Sequence, residues 1–257
     1  MAYRKGIDAK AGYILEDVTM GKKMILRILF FAAVKAAMLI YYGYRNSYAE
    51  IMTWELLYGG MKSSESQDII NVVLQVIPDF LLFSLCIGRS LSWLKDNYIY
   101  IALRERNVKV WLQKFSIAAF ISIWIYESSA VLVMLGACLQ QGWALPGMSL
   151  VPMVLCQVMT LSVMALMCGI LAWQYNESVA IYANLLLQAF PLFLVGVMHD
   201  MGGAWQMAIK YIPLNWCRFN YMMELGIQPY FMLLLSVVLA AGLYRYLKRI
   251  FKNYEPI

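Results

Sequence analysis

Residues 150–173 read LVPMVLCQVMTLSVMALMCGILAW, and this stretch contains no charged residue. About 20 apolar residues in helical form cross the ~30 Å hydrocarbon core of a lipid bilayer. A helix on the surface of a soluble protein would show a polar stripe along one face, and this stretch does not. We therefore predict that it is a transmembrane helix.

Stretches of similar character occur along the whole chain. The six predicted spans are approximately 24–44, 69–88, 115–138, 149–173, 178–198 and 229–247. The composition agrees, because 62% hydrophobic residues and a mean hydropathy of +0.63 are typical of an integral membrane protein. The expected fold class is all-α, a polytopic membrane protein with one transmembrane domain over residues 1–257.

The basic residues lie mostly in alternate gaps between the spans, and this asymmetry predicts the topology. Those assigned to one side are Arg4, Lys5, Lys10, Lys22, Lys23, Arg27, Arg89, Lys95, Arg104, Arg106, Lys109, Lys114, Arg245, Lys248, Arg249 and Lys252. The opposite gaps hold only Arg45, Lys62, Lys210 and Arg218. Because Lys and Arg accumulate on the cytoplasmic side, both termini are predicted to be cytoplasmic. The net charge of +6 is then explained by anionic lipid headgroups, and no nucleic-acid partner is expected.

The sequence lacks the motifs of the common enzyme classes. It has no G-x-x-x-x-G-K-[ST] loop to hold nucleotide phosphates and no G-x-S-x-G or H-E-x-x-H motif. His199 is the single histidine, which argues against a Ser–His hydrolase or an intramembrane zinc protease. We therefore expect a chain that is not itself an enzyme and that binds no cofactor or metal.

Three ionisable residues lie near the middle of predicted spans: Lys35 in the first, Asp79 in the second and Glu127 in the third. A charge at the bilayer centre costs ~2.5–3.5 kcal/mol on insertion scales, so such residues face the protein interior or water. They could form a substrate or proton site, or an ion pair that fixes helix packing, or Lys35 could extend to the interface. Of these, we favour a structural role, either the packing ion pair or the extended Lys35, over a substrate or proton site.

Three segments outside the spans have amphipathic character. The first twenty or so residues suit a short helix along the inner interface, although a weakly anchored tail fits as well. The inner loop at 92–114 mixes aromatic and aliphatic residues with charges, and suits a short helix that lies on the membrane or docks on a cytoplasmic partner. The outer gap at 199–228 is predicted to hold two helical pieces separated by Pro213.

This arrangement resembles the permease subunit of ABC-2-type ABC transporters. The inner-loop sequence YIALR at 100–104, followed by WLQK at 111–114, is similar to that of peptide-export and bacteriocin-immunity permeases. The sequence YIPLNW at 211–216, followed by Arg218, resembles the proline-containing break of the outer helical insert in that family. The resemblance assigns Pro213, Trp216 and Arg218 to this insert, whereas the charged trio matches no pattern of the family.

The resemblance implies half of an ATP-driven exporter in the plasma membrane of a bacterium. A second permease copy or a close homologue would complete the transmembrane part, and cytoplasmic subunits would bind ATP and Mg²⁺. The inner loop would couple the two parts, and its expected contacts are Trp93, Tyr98, Ile99, Ile101, Leu103 and Arg104. The cargo would be a peptide, a drug or a lipid-like molecule moved outward.

Two other functions remain open from the sequence. One is an ion-coupled secondary carrier or a channel, in which Lys35, Asp79 and Glu127 form a relay. The other is a membrane immunity protein that transports nothing. A requirement for an ATPase subunit separates the exporter from both of them.

Overall fold

The computed structural model of the chain describes residues 22–45, 68–84, 108–142, 150–208 and 226–253, together with positions 211, 212, 215 and 223. Helix accounts for 94% of these residues, and no strand occurs among them. In chain order the helices are α1 (Lys22–Arg45), α2 (Ile69–Leu82), α3 (Val108–Gln141), α4 (Leu150–Gln174), α5 (Glu177–Met201), α6 (Gly203–Ala208) and α7 (Pro229–Asn253).

Helices α1, α3, α4, α5 and α7 each contain a segment long and apolar enough to cross a membrane. Their bounds lie within a few residues of the predictions, except that α3 begins seven residues before 115 and α7 continues six residues past 247. Leu26, Leu186 and Leu234 are more than 60% exposed, as expected of side chains that face lipid. The described part of the chain is therefore helical, with the long apolar helices of a multi-pass membrane protein.

The second predicted span corresponds to α2, which begins at Ile69 as expected. Its 14 residues rise only ~21 Å, less than the ~30 Å of a hydrocarbon core. The remainder of the predicted span, up to residue 88, extends beyond the described residues. That this second predicted span crosses the membrane, and with it the total of six spans, therefore stays a prediction.

Polar capping residues begin two of the helices. Asp68 is the N-cap of α2, and its carboxylate accepts a hydrogen bond from the Ile70 amide at 2.9 Å. Asn176 caps α5 in the same way through the Val179 amide at 2.8 Å. Because only Tyr175 and Asn176 separate α4 from α5, these two helices run antiparallel and pack on each other.

Helix α4 lies at the centre of the bundle. It packs against α3, α5 and α7, while α1 packs against α2 and α3, and α2 also packs against α5. In the most apolar 18-residue stretch of each helix, 61% of the residues are buried in α4, compared with 17% in α7. The main apolar core joins residues of several helices, among them Ile28, Phe31, Phe115, Ile123, Leu161 and Met164.

The structure describes the first part of the outer segment that follows α5. Gly202 ends α5 with a φ of 65°, a conformation that favours glycine, and its amide donates to the carbonyl oxygens of Met198 and His199. The following helix α6 covers Gly203–Ala208, within the helical piece expected at 204–212, whose remainder includes residues outside the described part of the chain. Pro213, Trp216 and Arg218, the inner loop at 93–106 and the N-terminal segment before residue 22 all lie outside the described residues.

Candidate functional site

The Lys35 ammonium group lies at the centre of a buried polar cluster. Its Nζ donates to Glu127 Oε1 at 2.6 Å, to Gln157 Oε1 at 2.8 Å and to Asp79 Oδ1 at 3.3 Å. The side chains of Lys35, Asp79 and Glu127 are only 6%, 10% and 0% exposed. One ammonium group thus joins α1 to α2, α3 and α4.

Tyr126 completes this cluster from α3. Its hydroxyl donates a hydrogen bond to Asp79 Oδ1 at 2.9 Å, and the centroid of its ring lies 5.0 Å from Lys35 Nζ. The second contact is within the range of a cation–π interaction, which strengthens when the groups are desolvated. We call Lys35, Asp79, Tyr126, Glu127 and Gln157 the buried polar cluster.

The sequence around Lys35 allows the helices to come close. Ala32 and Ala36 flank it on α1, and both are fully buried, so their small side chains let the neighbouring backbones approach. The structure places Lys35 inside the bundle with its ammonium group engaged by three acceptors. The Lys35 side chain therefore does not extend to the membrane interface in this structure, which was one of the alternatives from the sequence.

Pro78 lies inside α2, directly before Asp79. Proline has no amide hydrogen, so the carbonyl oxygen one turn earlier in the helix loses its usual backbone donor. This frees a polar backbone group of α2 one turn before Pro78.

Apolar layers lie on both sides of the buried polar cluster. Ala32 and Ala130 belong to one apolar core, whereas Ala36, Val131 and Met153 belong to another. Lys35 and Gln157 fall between residues of these two cores along α1 and α4. Because the two layers exclude water, the charges must be satisfied by one another and by the hydroxyl and amide groups around them.

The cluster holds more acidic than basic groups. With both carboxyls ionised, Asp79 and Glu127 carry two negative charges against the single positive charge of Lys35. The Tyr126 hydroxyl donates to Asp79, which adds a favourable dipole on that side. The arrangement can therefore hold a positive charge firmly, and a second positive charge or a proton would complete its balance.

A second group of buried polar residues extends from the cluster along α2. Asn71, Gln75 and Asp79 recur every four residues and so share one face of that helix. On α5, which packs against α2, Gln188 donates to Asn184 Oδ1 at 2.6 Å, and both side chains are buried. Buried polar residues therefore occur on both α2 and α5, while Val72 and Val76 of α2 pack with Leu192 and Val195 of α5 in an apolar core.

An ion pair joins the end of α1 to the start of α2. Arg45 Nη2 lies 2.8 Å from Asp68 Oδ2, where α1 ends and α2 begins. The Arg45 guanidinium group and the Ile70 amide lower the pKa of the Asp68 carboxyl from its ordinary value of 3.8. This pair is largely exposed, so its contribution to stability is small.

Sequence reasoning selected part of this site. The structure brings Lys35, Asp79 and Glu127 together, but sequence analysis missed Gln157, Tyr126 and the amide residues of α2 and α5. The four-residue spacing of Asn71, Gln75 and Asp79 was the one signal that could have identified the polar face of α2. No group of three potential metal ligands occurs within the described part of the chain.

Comparisons with known proteins add no family to this description. No protein-family model, no curated protein and no solved structure matches this chain.

Proposed function

We propose that this chain is the transmembrane permease half of an ATP-driven exporter. The observation that carries the proposal is a bundle of long apolar helices with buried polar residues on α1, α2, α4 and α5. Burying polar groups inside a membrane protein costs free energy, so we expect these groups to have a role. A pathway for polar or amphipathic cargo is such a role. The sequence has no phosphate-binding loop, so the energy would come from a separate subunit.

The inner loop would transmit that energy. Trp93, Tyr98, Ile99, Ile101, Leu103 and Arg104 provide the apolar and cationic contacts of a docking helix. An aromatic or Arg anchor in a well-packed interface contributes ~2 kcal/mol or more, whereas a peripheral charge contributes much less. ATP binding would close the partner subunits and move this loop, and α2 and α3, which flank it, would follow.

The decisive experiment replaces Tyr98 and Arg104 together by Ala. We expect the purified variant to stay folded but to lose its ATP-binding subunit on co-purification, and to lose cargo-stimulated ATP hydrolysis. Lys95→Ala with Asn97→Ala is the matched control, since it changes the same loop without removing a proposed anchor. If the Tyr98/Arg104 variant retains both properties, the docking site lies elsewhere.

The excess of acid over base in the buried polar cluster favours a second candidate, an ion-coupled carrier. In that case Asp79 and Glu127 would exchange a proton or a cation as the helices move. The test is transport by the chain alone in proteoliposomes with an imposed proton or sodium gradient. Gradient-driven uptake or release without any ATPase would contradict the exporter proposal in favour of the ion-coupled carrier. The absence of such transport by the chain alone would support the exporter proposal.

A further inference from the structure

An elongated groove opens toward the lipid between α3 and α7. Both helices pack on α4, which forms the floor, while they contact each other only sparsely. The groove has a cavity volume of about 350 Å³, and its walls include Phe120 and Ile123 of α3 and Val237 and Ala241 of α7. A water molecule occupies ~30 Å³ in the liquid, so a cavity of this volume is many times larger than one water molecule. It has room for a chain of apolar groups.

The groove reaches one end of the bundle, and it becomes polar there. A shallow extension continues along α3 to Gln113, whose side chain is exposed, and is closed on the other side by Tyr244 of α7. Tyr244 is followed one turn later, on the same face, by the exposed Lys248. This end carries the basic residues that predict the cytoplasmic side.

On the two described helices that form the groove walls, the charged residues near this end are all basic. Helix α7 contains Arg245, Lys248 and Arg249, and neither α7 nor residues 108–126 of α3 contain Asp or Glu. Glu177 starts α5, which contributes no described residue to the groove walls. Basic residues beside a space between helices at the cytoplasmic face form a typical binding place for anionic lipid headgroups.

The Ser116 hydroxyl is a buried polar group of the groove. Ser162, which also lines the groove, donates to the carbonyl oxygen of Val158, four residues before it. Ser116 lines the groove, and its Oγ is buried without a hydrogen bond. It lies one turn from Gln113, between the apolar part of the groove and its basic end, where an ester carbonyl of a lipid could accept its hydrogen bond.

We propose that this groove binds a phospholipid with an anionic headgroup from the cytoplasmic leaflet. One acyl chain fills the space between α3 and α7, Ser116 donates to the ester carbonyl, and Lys248 faces the headgroup phosphate. The three features occur in the order in which a lipid presents them from tail to headgroup. The proposal does not depend on which energy source the protein uses.

Native mass spectrometry of the full chain, released from mixed micelles that contain phosphatidylglycerol and phosphatidylcholine, tests the proposal. We expect the wild-type protein to retain one phosphatidylglycerol in preference to phosphatidylcholine. Ala241→Phe fills the groove and should abolish retention. Val238→Phe is the matched control, because Val238 is 62% exposed on α7 and does not line the groove.

Two further variants test the polar contacts. Lys248→Gln should reduce the preference for phosphatidylglycerol about fivefold, the factor that corresponds to ~1 kcal/mol per basic residue at an anionic surface. Arg249→Gln, its neighbour on a different face, should change the preference less. Ser116→Ala should weaken retention of both lipids equally, since both carry the same ester groups.

Several outcomes would overturn the proposal. Equal retention of the two lipids by the wild-type protein would remove the headgroup selectivity. Retention by Ala241→Phe at the level of Val238→Phe would show that the lipid binds elsewhere. A change from dimer to monomer in Ala241→Phe, with no lipid bound to either form, would assign the groove to a second copy of the chain.

Discussion

Replacing Lys35 by Met is the sharpest test of the buried polar cluster. Met keeps most of the length of the side chain but removes the ammonium group, so Asp79 and Glu127 are left as two buried carboxylates without their shared cation. The Gln157 carbonyl oxygen also loses its donor at 2.8 Å. Removing one partner of a buried ion pair costs ~3–5 kcal/mol, and we expect a loss of this size in the free energy of unfolding.

The geometry further predicts how this loss divides between the two acids. Glu127 is fully buried and lies 2.6 Å from Lys35 Nζ, whereas Asp79 lies 3.3 Å away and also accepts a hydrogen bond from Tyr126. In double-mutant cycles with Lys35→Met, Glu127→Gln should therefore show a coupling energy of ~2–3 kcal/mol, and Asp79→Asn a smaller one.

The assay is reversible unfolding of the purified protein in mixed micelles as the fraction of denaturing detergent increases. Lys22→Met is the control, because Lys22 is an exposed base on the same helix and its replacement should change the unfolding free energy by less than ~0.5 kcal/mol. A coupling energy of zero between Lys35 and both acids would refute the reasoning, and so would a larger coupling to Asp79 than to Glu127.

Three other predictions follow from the same helices. Tyr126→Phe should destabilise the protein by ~1.5–3 kcal/mol in the same unfolding assay, because the ring stays but the hydrogen bond to the Asp79 carboxylate is lost; an unchanged unfolding curve would contradict that bond. Arg45→Gln should raise the pKa of Asp68 toward its ordinary value of 3.8. Because the pKa is lowered in the folded protein, the pair stabilises the fold above pH 3.8 and loses this effect as the pH falls through the folded-state pKa. The titration curve of Asp68 measured by NMR should therefore shift to higher pH in the variant, and an unshifted curve would argue against pairing. For topology, a cysteine at Ser64 should react with an impermeant reagent from outside and a cysteine at Asn107 only from inside, and the reverse pattern would invert the predicted orientation.

The long helices could be predicted from the sequence because the thickness of the bilayer imposes their length. Leu150–Gln174 was expected at 149–173 and Glu177–Met201 at 178–198, since apolar runs of that length have few other uses. Lys35, Asp79 and Glu127 could be grouped by depth alone, because charge in hydrocarbon demands a partner.

The rest of the cluster could not be predicted, because hydropathy does not encode which helices are neighbours or how each is rotated about its axis. Gln157 lies in a span without charges and looked like an ordinary polar residue there. Its contact with Lys35 requires that α4 lie beside α1 at that depth, which only the packed bundle defines. Tyr126 could not be assigned to the cluster from the sequence either, because an aromatic residue in a span more often faces lipid or an apolar core.

The connection between α4 and α5 limits the motions that any transport cycle can use. With only Tyr175 and Asn176 between the two helices, and with their packed faces in contact, α4 and α5 have too little intervening chain to swing apart and must move as one rigid unit. A path between α2 and α5 can then open only if this unit shifts relative to α1, α2 and α3. Such a shift would break the hydrogen bond between Lys35 and Gln157 and would also change the packing of α3 on α4 and of α2 on α5, so these contacts form the boundary between the two moving groups of helices.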